Sequence, residues 1–267
     1  MFQITIFFLY VAAGTAFAAS RLPRYSASAT LFLGVAFTLS LTGLIWHVAI
    51  LYAAMMTSAG LTLSIANSVS FIGLQLALIA MLGALEPTLR GLAGGLLILA
   101  GLAAVLTSAQ YGAASPIESW QLQAHILISL FAYGLLSVGA IVALYALIQD
   151  SRLRAGKLTE MNNLFAPLET NERLLYGIAT GGFVTLLIGV LSGFTFVDNL
   201  FAQHLVHKST FSLIALALFG LLIAGRQIAG WRGRRAVYLY LWGFAMLGLA
   251  YFGSRFILEE MLGRTWG

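Results

Sequence analysis

Residues 25–85 read YSASATLFLGVAFTLSLTGLIWHVAILYAAMMTSAGLTLSIANSVSFIGLQLALIAMLGAL, without one Asp, Glu, Lys or Arg. As a single α-helix the stretch would run about 90 Å, roughly three times the ~30 Å hydrocarbon thickness of a bilayer. It must therefore fold back on itself. The break falls near MMTSAG, where small and polar residues cluster, and gives two helices over about Ser28–Ala54 and Leu61–Ala84.

The rest of the chain repeats this pattern. Met1–Ser20, Gly91–Ile117 and Ser119–Gln149 are also free of charge, and of the 267 residues 60% are hydrophobic and only 9% charged. A soluble domain carries roughly a quarter charged residues, so there is too little charge here to cover a water-facing surface. In hydrocarbon each backbone N–H and C=O must be satisfied within its own segment, which leaves helices for segments of this length. The fold class is therefore all-α: a polytopic transmembrane helix bundle of about eight spans, read as a single integral membrane domain over residues 1–267. Besides the two above, the expected spans are Phe2–Ala19, a fourth from EPTLR to near Gln110, a fifth up to Gln149, and then Leu174–Val197, Ser209–Gly225 and Val237–Leu258. The run ending in AGTAFAAS has the small residues of a signal-peptide cleavage site. No basic segment precedes it, and Arg21 and Arg24 follow it, so it reads as a retained first span. No internal repeat is visible.

Basic residues set the expected orientation. The breaks after the first, third, fifth and seventh spans carry Arg21, Arg24, Arg90, Arg152, Arg154, Lys157, Arg173, Arg226, Arg232, Arg234 and Arg235. The other side has Lys208 and Arg264, with Arg255 near the end of the last span. Short loops rich in Arg and Lys remain on the cytoplasmic side, so both termini are expected outside, in a multi-pass protein of the cytoplasmic membrane. The net charge of +5 follows from this rule and implies the lipid bilayer, not nucleic acid, as partner. GWRGRR at 230–235 reads as a cytoplasmic turn that can touch anionic headgroups. The 150–173 connection carries Leu and Phe residues that could lie on the membrane surface, or it could dock a cytoplasmic partner.

With this topology all four histidines fall on the outer side: His47 late in the second span, His125 in the first turns of the fifth, and His204 and His207 one helical turn apart in the connection FVDNLFAQHLVHKSTF. Imidazole there can bond a neighbouring span or sit at the interface. It is also the common axial ligand of haem iron. Trp46, Trp120, Phe131, Tyr133, Phe194, Phe196 and Phe201 lie near the same level and could wall a haem pocket or form an interfacial belt. The chain has no cysteine, which excludes thiolate metal sites and disulfides. His204 and His207 have no third ligand in a zinc spacing, and no Ser-His-Asp constellation appears, so no catalytic site is expected. GLAGGLLILAGLAAVL at 91–106 reads as close helix packing through small residues. Arg255 and Glu259 read as an i, i+4 ion pair.

Three ordered segments carry a resemblance: AHILISLFAYGLLSVGAIVALYALIQDSRL from Ala124, PLETNERLLYGIATGGFVTLLIGVLSG from Pro167, and GWRGRRAVYLYLWGFAMLGLAYFGSRF from Gly230. Together they are similar to the cytochrome c assembly family of haem-handling membrane proteins, and within it to YpjD-type bacterial inner-membrane members, over roughly residues 40–260. The resemblance implies haem binding or delivery at the outer face of the inner membrane in support of cytochrome c maturation, with maturation components as partners. His125 matches the family's outer-side haem-ligating histidine, and His47 resembles an early-span histidine. The family's tryptophan-rich haem-contacting loop should fall between the sixth and seventh spans, where this chain has DNLFAQHLVHKSTF with only Lys208 in common. Two further family histidines, near LIAGRQ and after the last span, are absent. Cytochrome c synthase chemistry is therefore not expected. The expectation is non-covalent b-type haem, its iron held by His125 with His47 or His207 opposite and His204 as a further candidate. A cofactor-free accessory or scaffold subunit of the same fold is the alternative, and a small-molecule transporter stands behind both, since strongly polar mid-span residues are few.

Overall fold

The computed structural model describes residues 2–57, 60–107, 117, 119–156, 160–196 and 206–253. Eight α-helices follow in order: α1 Phe2–Ala19, α2 Ala29–Met55, α3 Ile65–Gly83, α4 Arg90–Val105, α5 Trp120–Arg154, α6 Leu168–Phe196, α7 Val206–Ala229 and α8 Arg234–Gly248. Among the described residues, seven helical segments are long and apolar enough to cross a membrane. The protein is an all-α polytopic membrane protein. The expected eighth span corresponds to α8, which continues as a π-helical turn over Leu249–Gly253. Its expected end and the Arg255–Glu259 pair lie outside the described residues.

Departures from the expected boundaries have identifiable causes. The break near MMTSAG is a short antiparallel hairpin, β1 Met56–Thr57 and β2 Gly60–Leu61. Gly60 takes φ 126°, a conformation open to glycine, and Leu61 bridges on to Ile117. These pairings delay the start of α3 to Ile65. At the other end, α5 runs to Arg154, past the expected Gln149. Its last turns are water-compatible: Asp150 and Arg154 form an i, i+4 ion pair at 3.1 Å.

The described chain divides into two compact units. The first comprises residues 1–54, 66–109 and 144–173, and the second 55–65, 110–143 and 174–267. In the first unit, α1 and α4 approach backbone to backbone. A Cβ on Gly14 would stand 2.6 Å from the Gly94 carbonyl oxygen, and one on Gly94 would stand 2.6 Å from that of Gly14. Helix association in lipid depends on this kind of contact, because burying apolar surface gains nothing over lipid tails. One turn before Gly14, the fully buried Tyr10 lies with its ring against Gly43 of α2 and its Cβ beside Gly101 of α4. Gly94 and Gly101 thus bear out the reading of the glycine-rich run.

The 150–173 connection is stitched into the same unit. Tyr145 donates to the Leu164 carbonyl, Gln149 Nε2 to the Ala166 carbonyl at 2.8 Å, and Asn171 Nδ2 to Gln149 Oε1 at 2.8 Å. Phe165 stacks on Tyr145, so its ring faces protein. In the second unit, Tyr240 of α8 is buried, donates to the Leu136 carbonyl at 3.0 Å, and meets Phe219 of α7 edge-on at 5.1 Å. Gly139 and Gly243 make room for these two rings.

Gly95, next to Gly94, has open space where a Cβ would point. Gly94→Leu should therefore cost about 1–3 kcal/mol by overpacking, while Gly95→Leu should stay within about 0.5 kcal/mol of the parent. Unfolding of the purified variants in detergent, by heat or by titrated SDS, measures both.

Candidate functional site

His47 and His125 are held in opposite ways. His47, in α2, is completely buried in the first unit, with polar partners from the helices around it. The direction of its hydrogen bonds can be read from the far end. The Thr107 hydroxyl donates its single proton to the Ala104 carbonyl at 2.8 Å. The bond between Ser70 and Thr107, 2.5 Å long, must then use the Ser70 proton. Ser70 Oγ is left to accept from His47 Nε2 at 2.8 Å. The imidazole is therefore protonated at Nε2, and its Nδ1 accepts from Tyr10 Oη over a longer 3.4 Å. Four buried side chains, from α1, α2, α3 and the second residue past α4, form one directed chain that ends on a backbone carbonyl. Gln3 adds a bond from its Nε2 to the Thr107 carbonyl at 3.0 Å. Both His47 nitrogens are engaged, so an iron could bind there only if Ser70 or Tyr10 let go.

His125, in the first turns of α5, is partly buried in the second unit. One turn of α6 holds it. Ser192 Oγ donates to the Gly189 carbonyl at 2.8 Å, so in its contact with His125 Nδ1 at 2.9 Å the serine accepts. That places the proton on Nδ1 and the lone pair on Nε2, the atom a metal would take. No described side chain hydrogen-bonds that nitrogen. Gly189 lets α5 come close: a Cβ there would stand 3.4 Å from Ser129 Oγ, one helical turn beyond His125. The charge of Lys208, in the first turn of α7, acts on His125, and its ammonium lies 5.8 Å from the Tyr251 ring centroid. Nearby, Gln123 Nε2 donates to the Ile117 carbonyl at 2.6 Å, tying the start of α5 to the strand residue paired with Leu61.

His207 lies in the first turn of α7 in this unit, though its side chain is outside the described residues, as are His204 and Phe201 altogether. The aromatic residues divide. Tyr133 is buried and donates to the Leu247 carbonyl at 2.9 Å. Trp46, Trp120, Phe131, Phe194 and Phe196 are exposed on the protein surface, with Trp120 resting on Phe196 at 6.4 Å. These five fit the interfacial belt better than a pocket wall. Sequence reasoning missed Tyr10, Ser70, Thr107 and Ser192. Hydroxyls are common in membrane helices, and nothing in the local sequence distinguishes these from their neighbours.

The comparisons with known proteins agree with the three ordered segments. The Cytochrome C assembly protein family matches residues 35–262. The chain belongs to this family. It is 36% identical over 135 residues to the inner membrane protein YpjD of Escherichia coli strain K12, covering 51% of each chain. It is 23% identical over 167 residues to the cytochrome c biogenesis protein CcsA of Guillardia theta, covering 56% of each. An uncharacterized 28.8 kDa protein of Azospirillum brasilense is 27% identical over 141 residues, 52% of each. The chain thus spans about half the length of the curated relatives it matches. No solved structure matches it.

Ser70→Ala strands the His47 N–H in a buried site and should cost about 1–3 kcal/mol. Combining it with His47→Phe should cost less than the two single changes added together, since both ends of one bond are then gone. A double-mutant cycle by thermal unfolding in detergent measures that coupling. Strict additivity would mean that the bond is absent.

Proposed function

We propose that this protein handles haem in the inner membrane for cytochrome c biogenesis, with His125 Nε2 as an axial ligand. The observation that supports the reading is the tether of His125: Nδ1 bonded to Ser192, itself fixed on Gly189. A ligating histidine needs such a partner to set its tautomer and ring orientation. Haem, when bound, supplies an iron that takes axial nitrogen ligands and changes oxidation state. The chain's part is to hold it non-covalently. Ser192 sets the tautomer with the proton on Nδ1, which leaves the Nε2 lone pair for the iron; His207 or His204 would provide the opposing nitrogen, and Lys208 would offer a positive charge for a propionate. His47 ranks below these, because its ring is already bonded at both nitrogens. The reading includes eight spans in one integral membrane domain, both termini outside, and maturation components as partners. A cytoplasmic partner would meet the exposed side of the 150–173 connection.

The second reading is an accessory or scaffold subunit of the same fold without cofactor. The closed environment of His47 favours it, as does the absence of tryptophan from 197–208. Spectra separate the two. Protein purified from a haem-replete host should show a Soret band that is lost in His125→Ala, altered in His207→Ala, and kept in His47→Ala that remains folded. Colourless wild-type protein that takes up no haem on titration would overturn the first reading and leave the second.

A further inference from the structure

The α7–α8 turn of the second unit concentrates positive charge. From Asn199 to Leu258 the sequence has no Asp or Glu, and within that stretch lie Arg226, Arg232, Arg234 and Arg235. Arg226, Arg232 and Arg235 pair with no carboxylate among the described residues. Arg226, in the last turn of α7, packs its guanidinium 4.1 Å from the Tyr176 ring centroid, and its Nη1 is buried without a hydrogen-bond partner. The residue as a whole is only half-buried, so the rest of the guanidinium can meet an anion, and a partly desolvated cation without a carboxylate partner favours one.

The turn itself is well fixed. Gly230, at φ 64°, ends α7 with its N–H on the Arg226 carbonyl at 3.2 Å, and the Trp231 N–H reaches the Gly225 carbonyl at 3.1 Å. This is a left-handed glycine cap. Tyr176 Oη donates to the Trp231 carbonyl at 2.6 Å, and the Trp231 ring covers Gly225. The same tyrosine therefore supports Arg226 with its ring and anchors the turn with its hydroxyl. Directly beyond the arginines, Tyr238, Leu241, Trp242 and Ala245 line a shallow open depression. Their spacing of i, i+3, i+4 and i+7 puts them on one face of α8. Its rings are exposed, Tyr238 at 51% and Trp242 at 62%, and Ile228 at the end of α7 is 87% exposed.

Positive charge at one end and an apolar trough leading away from it match the form of a phospholipid. We propose that this turn is a specific site for an anionic phospholipid, with the phosphate held by Arg226, Arg232 and Arg235 and an acyl chain along the Tyr238–Ala245 face. Guanidinium forks suit phosphate oxygens because they donate two parallel bonds. The site is independent of haem and of which leaflet the turn meets.

Native mass spectrometry of the full chain in detergent, with phosphatidylglycerol, phosphatidylcholine or sodium phosphate added, tests the proposal alongside thermal unfolding. Phosphatidylglycerol should be retained and should raise the Tm, whereas phosphatidylcholine and inorganic phosphate should do neither. Arg226→Gln should weaken retention about fivefold, and Arg226→Lys should restore only part of it, since an ammonium cannot form the fork. Should Arg226→Gln fail to fold, the exposed pair Arg232→Gln with Arg235→Gln should weaken retention about 25-fold. Equal retention of the two lipids, equal retention by wild type and variants, or the same stabilisation by inorganic phosphate would overturn the proposal.

Discussion

The close approach of α1 to α4 at Gly14 and Gly94 underlies much of the first unit. In lipid, two helices gain little by hiding leucines from their surroundings, so attraction depends on how near the backbones can come. With no side chain on either glycine the two carbonyls nearly touch the opposing Cα positions. Tyr10, one turn earlier, is thereby pressed between Gly43 and Gly101 with its hydroxyl directed at His47. The polar chain through His47, Ser70 and Thr107 follows from that placement. Each of its groups would be costly if left alone in hydrocarbon, and each has a partner.

The two described histidines show how one residue type takes different roles. His47 is the middle of a chain whose proton directions are fixed by the Ala104 carbonyl, and both its nitrogens are used. His125 is held by Ser192 at Nδ1 and by the backbone of Gly189, and no described side chain bonds its Nε2. The difference comes from where the neighbouring hydroxyl sends its own proton. Ser70 sends it onward to Thr107, so it can only accept from His47 Nε2. Ser192 sends it back to the carbonyl of its own helix, so it can only accept from His125 Nδ1. Burial separates them as well, since His47 is fully enclosed and His125 partly open.

The membrane character of the chain and most helices were legible in the sequence, because length and absence of charge follow from the thickness of a bilayer. The end points were less so. Helix α6 begins at Leu168 and not Leu174 because Pro167 can open a helix and its carbonyl accepts from the Asn171 N–H. The hairpin at Met56–Leu61 depends on a long-range bridge to Ile117 that no local pattern announces. For the site, the resemblance singled out His125, and the structure adds Ser192, 67 residues away in sequence. The closure of His47 could not be read in advance either, since it depends on hydroxyls from helices whose faces the sequence leaves open: α1 to α4 are apolar nearly all round.

Helix α5 has 35 residues and is about 52 Å long, well beyond the ~30 Å of hydrocarbon. A lone rod of that size would lean over until its greasy length matched the film around it. Here the overhanging end is not free to lean at will. Tyr145 and Gln149 are clamped to the backbone of residues 164–166, and that segment is fastened in turn by Arg21 to the Asn163 carbonyl at 3.1 Å. The tail of this rod is thus tied by side-chain bonds to the connection that follows it, so any tilt of the helix carries that connection with it.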